Sequence, residues 1–308
     1  MAKRNYAGAI ILISAILCSM LLSGCGAIRT VGEKVRPTAL VKKALPGPDH
    51  LDKRVMLFDP VDQAGYGPEA TARIGAEVRR LLEGQSRFII EEPPGGLKWA
   101  DAGMDLRIAA PVDLLDFCRD EGISTIITLV LSPVESTHVT TGIWPFRSQS
   151  ISFSIPVRLT ALDVVNGTIL MTESMVEEDV MKLYDAEMRS DRELLDRFAT
   201  RIVPRVVQRQ VREAVQEMDR WQWRGSIVSK ENGKAIINAG SDLGVVEGSR
   251  FEVLDRGRTV TARDGRELTV PGATIGKLVV TAPGSRTSVA EPVEGADFEP
   301  GMTIRYKP

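Results

Sequence analysis

The sequence predicts an α+β protein: an N-terminal α/β sandwich with a mixed sheet, in the order β-α-β-α-β-β-β-α, followed by a small all-β barrel-like domain. Three observations carry this. Up to Met218, buried-type apolar runs alternate with stripes of helical period. From Trp223 onward no helical period recurs, and short strands separated by tight turns take over. Ahead of both lie a processing segment and a proline-bearing stretch that belong to neither pattern.

The elements follow in chain order. Val55-Met-Leu-Phe58 is a continuous apolar run, the mark of a strand buried on both faces. Pro68 opens a helix whose apolar residues Ile74, Val78, Leu81 and Leu82 share a face, and Gly84 stops it. Phe88-Ile-Ile90 is a second strand, Pro93-Pro-Gly-Gly96 a loop, Pro111 to Glu121 a second helix, and Ile123 to Leu131 a third buried strand. Then the period changes to two. Ile151, Phe153, Ile155, Val157 and Leu159 alternate with polar residues and Pro156, as a half-exposed antiparallel strand does. Asn166-Gly167 is a tight-turn signal, and Thr168 to Val176 is the returning strand. The stretch 132–150 reads as a loop between strands. A long helix begins at a capping box, Ser190 with Glu193, and carries an apolar stripe from Leu194 to Met218. Pro204 inside it predicts a kink or a break.

In the second half the predicted strands are 225–230, 234–238, 250–254, 266–270, 275–281, 287–291 and 303–306, with turns at Asn232-Gly233, Asp264-Gly265 and Pro283-Gly284. None is long enough to bury a face alone, which suggests a small barrel.

The amino terminus decides the compartment. Lys3 and Arg4 precede an apolar run from Ala7 to Leu17, and Leu22-Ser23-Gly24-Cys25 follows. This resembles the lipobox of bacterial lipoproteins: Leu22, Ser23 and Gly24 for signal-peptidase recognition, and Cys25 as the residue that takes the lipid. The stretch from Tyr6 to Leu22 is borderline for a membrane span, which needs ~20 apolar residues, and it ends in small residues and a cysteine. The resemblance implies a signal peptide over 1–24, and an anchor and tether over 25–53. The folded part, an α/β domain over 54–220 and a barrel over 221–308, then lies outside the cytoplasm. Gly26 in place of Asp implies sorting to the outer membrane, facing the periplasm. As a flexible coil the tether would reach roughly 30 Å.

Composition excludes several classes. The net charge of -2 shows no basic excess for nucleic-acid binding. Cys118 is the one cysteine outside the signal and anchor, so no internal disulfide is expected, and its setting suggests a buried thiol. The two histidines, His50 and His138, sit in the tether and a loop, and no metal-binding spacing occurs. Gly84-Gln-Ser-Arg-Phe88 lacks the second glycine of a nucleophile elbow, and Gly272-Ala-Thr-Ile-Gly-Lys-Leu278 fails as a phosphate loop. Glu177-Glu178-Asp179 reads as solvated surface. The expectation is a protein that is not an enzyme, with no cofactor beyond the lipid on Cys25.

Two further resemblances give the functional class. Arg54-Val-Met-Leu-Phe-Asp59, Ser86-Arg-Phe-Ile-Ile-Glu-Glu92 and Leu159-Thr-Ala-Leu-Asp-Val-Val-Asn-Gly-Thr-Ile-Leu170 resemble the periplasmic α/β domain of three groups. These are the curli secretion lipoprotein, the amino-terminal domain of TolB, and the lipoprotein activators of penicillin-binding proteins. Gly225-Ser-Ile-Val228, the segment from Asn232 to Val253, Ile275-Gly-Lys-Leu-Val-Val-Thr281 and Glu299-Pro-Gly-Met302 resemble the carboxy-terminal domain of the flagellar assembly protein T family. That family usually carries an additional amino-terminal domain and a plain secretory signal, which this chain lacks. The resemblances imply a non-catalytic scaffold or assembly factor for an envelope or flagellum-associated machine. It would act through protein partners, either further copies of itself in a ring or flagellar and envelope components. A curli-type secretion pore and a regulator of peptidoglycan synthesis are the alternatives. The predicted contact residues are Ile143, Trp144 and Phe146 in the 132–150 loop, and Trp221 and Trp223 between the domains, where the tryptophans could equally pack the domains together.

Overall fold

A computed structural model describes residues 48–85, 87–97, 112–261, 267–270, 272–295 and 298–308. Its first half is a mixed sheet flanked by helices, and its second a closed barrel.

Strand β1 (Lys53–Leu57) lies at the heart of the sheet. Its alternate residues serve two cores: Val55 and Leu57 face one helical layer, Met56 and Phe58 the other. That two-sided burial is why the run is apolar without alternation. A two-residue strand β2 (Val61–Asp62) follows, then helix α1 (Pro68–Glu83) and strand β3 (Phe88–Glu91), which pairs with β1 in parallel. Helix α2 (Val112–Asp120) leads into β4 (Ile123–Leu131), parallel to β1 on its other side. Both parallel pairings are reached through a helix, as such connections require.

Strand β5 (Glu135–Thr141) departs from the expected loop. It carries Ser, Thr and His and no alternating apolar set, so no pattern announces it. What holds it is the backbone ladder to β6 (Ser148–Asp163). Along one edge β6 pairs with β4 through its C-terminal half and with β5 through its N-terminal half. Its other edge pairs with β7 (Thr168–Lys182) over nearly the whole length. At about 3.4 Å per residue, β6 is a spine about 50 Å long. The returning strand also outruns its expected end at Val176, because Glu177 and Asp179 point to the helical face. There they meet Arg209 and Arg197, with Asp179 at 2.8 Å from Arg197. Glu177 and Asp179 are therefore part of the packed face, while Glu178 between them is exposed to solvent as expected.

After the short helix α3 (Leu183–Glu187), the expected long helix appears as two, α4 (Asp191–Arg201) and α5 (Val203–Arg220). The break falls at Ile202, where Pro204 removes a donor at the start of the second. The capping box is present: Glu193 N donates to Ser190 Oγ at 3.3 Å, and Ser190 N donates to Glu193 Oε2 at 2.8 Å. Helices α1, α4 and α5 cover one face of the sheet and α2 the other.

The barrel is built from β8 (Arg224–Glu231), β9 (Lys234–Ile237), β10 (Arg250–Leu254), β13 (Thr274–Pro283), β14 (Ser288–Glu294) and β15 (Thr303–Lys307). Between β10 and β13 an antiparallel ribbon, β11 (Arg258–Thr261) with β12 (Glu267–Val270), stands apart from it. The order β10-β13-β14-β9-β8-β15 closes because β15 pairs back to β10. The Asn232-Gly233 turn has both residues at positive φ, 50° and 80°, which the tight hairpin needs. Side chains fill the interior, including Phe251, Ile237, Leu278 and Ile304.

The segment expected to be tether up to residue 53 is folded from at least Pro48. Leu51 is buried in the barrel core, Asp52 N donates to Leu243 O at 3.0 Å, and Tyr306 Oη donates to Pro48 O at 2.6 Å. A lone apolar residue among polar neighbours gave no periodic signal. Residues 46–308 form one compact unit in which sheet and barrel are joined.

Candidate functional site

The lipobox residues Leu22, Ser23, Gly24 and Cys25 lie outside the described residues. The loop residues Ile143, Trp144 and Phe146 stand at the tip of the β5–β6 arm, exposed to 79%, 80% and 82%. Two backbone features shape the tip. Phe146 N donates to Ile143 O at 2.7 Å. Gly142 sits at φ +90°, and a Cβ there would come within 2.3 Å of Phe146 O, so the position tolerates only glycine. Flanking the tip are exposed Thr140, Thr141, Ser148 and Gln149, with Arg147 and His138 as the basic groups.

The same end of the sheet gathers further apolar surface. Lys182, the last residue of β7, pairs with Ser150, close to the tip end of the arm. Val180, Tyr184 and Met188, on and just beyond that strand end, are all largely exposed. The barrel lies at the opposite end of β6, where β4 begins and meets β8.

The two tryptophans part company. Trp223 is 3% exposed and packs into the barrel core, with its ring 5.7 Å from Phe251, so it is not a contact surface. Trp221 is 44% exposed and carries the Arg224 guanidinium 5.4 Å from its ring centre. Of the two readings offered for these residues, packing describes Trp223, which enters the barrel core, while Trp221 caps helix α5.

Sheet and barrel meet around Arg54, which is fully buried. Its Nη2 donates to both Asp242 oxygens, at 2.7 and 3.0 Å, and Nη1 donates to Asn238 O at 3.1 Å. Asn238 Nδ2 in turn donates to Arg119 O at 2.6 Å. An arginine inside an otherwise apolar strand run was the available signal for this junction, but its partner is remote in sequence.

Cys118 is buried against Met56, and burial pushes its thiol up to about 12. Among the described residues there is no group of His, Cys, Asp and Glu able to hold a metal ion, and no helix long and apolar enough to cross a membrane.

No family model matches the chain, and no curated protein matches it. Solved structures align with about half of it. A neuraminyllactose-binding haemagglutinin homologue from Helicobacter pylori is 12% identical, over 57% of this chain and 94% of that one, with a TM-score of 0.38. Lipoprotein GNA1162 from Neisseria meningitidis is 12% identical, over 55% and 99%, with a TM-score of 0.25. A minor lipoprotein from Acinetobacter baumannii is 10% identical, over 55% and 94%, with a TM-score of 0.29. None of the three is similar enough for its function to transfer.

Proposed function

We propose that the chain is a non-catalytic lipoprotein of the bacterial outer membrane, anchored through Cys25 and facing the periplasm. It acts as a scaffold or assembly factor for an envelope or flagellum-associated machine through protein contacts. The observation that carries this is the arm tip, with Ile143, Trp144 and Phe146 almost fully exposed at the end of a long spine. Solvated aromatics have no stabilising role in the monomer, whereas buried aromatics dominate the energetics of interfaces. The lipobox supports the anchor, and the arm presents its contact residues far from the barrel end, where the described residues begin at Pro48.

A secretion pore is less well supported. On β5, Ser136, His138 and Thr140 share one face, and Glu135, Thr137, Val139 and Thr141 the other. Neither is an apolar band, which a membrane-spanning strand needs on its lipid side.

The test is photo-crosslinking in cells from position 144, beside a variant with Ile143, Trp144 and Phe146 all replaced by serine. The parent should give discrete adducts. The serine variant should keep its melting temperature but lose function and partner capture. Full function in the serine variant would end the proposal for the tip. Adducts to a peptidoglycan synthase would favour the regulatory alternative. Failure of labelled fatty acid to incorporate, in a form where Cys25→Ala makes no difference, would end the proposal for the anchor.

A further inference from the structure

A second surface is independent of the arm. Between the sheet and the barrel lies a cleft of about 320 Å³, walled by both halves of the molecule. That is within the range of small-ligand sites, roughly 300–1,000 Å³. Among the described residues three arginines line it, Arg119, Arg224 and Arg256, and no carboxylate does. Ile123, Val165 and Pro300 supply apolar wall beside them.

The arginines are not equally engaged. Arg119 Nη1 donates to Asp116 at 2.7 Å, and Arg256 Nη2 lies 2.9 Å from Glu299. Each of those two is thus compensated from outside the cleft. Arg224 has no hydrogen bond or ion pair from its side chain among the described residues, and rests on the face of Trp221. The acid near it, Asp163, is committed elsewhere: it accepts from Val165 N at 3.1 Å and from Asn166 Nδ2 at 2.6 Å within its own turn. Burial holds the Asp163 carboxyl above its usual range, and the Arg224 charge opposes that shift from beyond hydrogen-bond distance. Lys53, also near Asp163, spends its ammonium on the carbonyls of Met218 and Trp221. Arg224 is thus left, among the described residues, without a hydrogen-bonded counter-ion, its guanidinium resting on the indole.

We infer that this cleft binds a small organic carboxylate, held by the Arg224 fork with Arg119 and Arg256 beside it. With Arg119 and Arg256 already paired, the cleft offers, among the described residues, one guanidinium without a hydrogen-bonded partner, which suits a monoanion better than a phosphate dianion. A planar guanidinium matches a carboxylate in two parallel hydrogen bonds. The carboxylate could belong to a free small molecule or to the C-terminus of a peptide, and the same chemistry would receive either.

Calorimetric titration of the mature protein in detergent separates these cases. The probes are N-acetylalanine, the N-acetylated tri-alanine peptide with a free C-terminus, the same peptide amidated, and inorganic phosphate. The free acids should bind, and amidation or Arg224→Gln should each weaken binding at least tenfold. Equal affinity for N-acetylalanine and the peptide acid assigns a small free carboxylate, and preference for the peptide assigns a chain terminus. The proposal is overturned by three results: no binding of either acid at millimolar concentration, equal binding of the amide, or tighter binding of phosphate. Unchanged affinity in Arg224→Gln also overturns it. Circular dichroism checks the fold of that variant. Arg256→Gln, at an exposed side chain, is the second variant: unchanged affinity there would overturn the proposal if Arg224→Gln does not fold.

Discussion

Arg54 shows what a single residue does in this molecule. A guanidinium cannot shed its charge, so its burial in β1 is tolerable only because the donors of both terminal nitrogens are met, Nε being left, among the described residues, without a partner. Asp242 takes two of them, and the carbonyls of Asn238, Glu121 and Arg286 take others, at 3.1 to 3.3 Å. Gly122 makes room: at φ +69°, a Cβ there would lie 2.7 Å from Arg54 Nη1. Replacing Arg54 by Met should cost about 3–5 kcal/mol in urea denaturation, because Asp242 stays behind without its partner. Arg54→Lys should not restore it, since an ammonium cannot reproduce the fork. Cys118 supplies a second test at this scale. Its thiol is pushed up to about 12, against an ordinary 9.0, so native protein holds almost no thiolate at pH 8. A disulfide reagent should leave Cys118 unmodified at that pH until denaturant is added; rapid labelling of the native state would contradict the burial. The sequence foretold the buried cysteine from its apolar neighbours, and left Trp223 open between packing and partner contact. Two tryptophans flanking one residue, with no period around them, do not reveal which enters a core.

At the scale of elements, legibility followed the source of each element's stability. The strands buried on both faces, the striped helices, the capping box at Ser190 and the break near Pro204 were all readable, because burial and local hydrogen bonding write themselves into residue type. Strand β5 was not, because its ladder to β6 uses backbone groups that every residue carries. The ribbon strand β11 was missed for the same reason. The barrel strands were found from turn glycines and short β-branched runs, yet their closure depends on β10 meeting β15, which no local pattern encodes. That seam carries a pH-dependent contact. Glu252 on β10 sits opposite Arg305 on β15, and the hydrogen bond from Arg305 holds its carboxyl below the ordinary 4.5. A carboxyl depressed on folding stabilises the native state above its unfolded pKa and loses that contribution as pH falls through the folded value. Stability should therefore decline below about pH 4.5, and Glu252→Gln should flatten part of that decline in denaturation curves between pH 3 and 6. An unchanged slope would show that other carboxylates dominate acid unfolding.

For the whole molecule the question is whether sheet and barrel unfold together. They share polar contacts of unequal worth. Arg286 reaches Glu91 at 2.9 Å and Glu121 at 3.1 Å, but these groups are half exposed, and such pairs contribute about 0–1 kcal/mol. The buried set of Arg54, Asp242 and Asn238 is worth more to the joint, and Ile89 of β3 adds apolar contact with the barrel core. If that set is the main coupling, the parent should show one calorimetric transition, with calorimetric and van't Hoff enthalpies equal. Removing both charges, with Arg54→Met and Asp242→Asn, leaves no orphaned ion, so each half should keep its own core while the link is lost. The expected result is two resolved transitions, with added salt failing to separate them in the parent. A single transition in the double variant would instead assign the coupling to the apolar contacts of Leu51 and Ile89. The cleft lined by Arg119, Arg224 and Arg256 is walled from both halves, so it survives only while they are joined. Ligand binding there should raise the temperature of a single transition, and in an uncoupled variant it should raise neither.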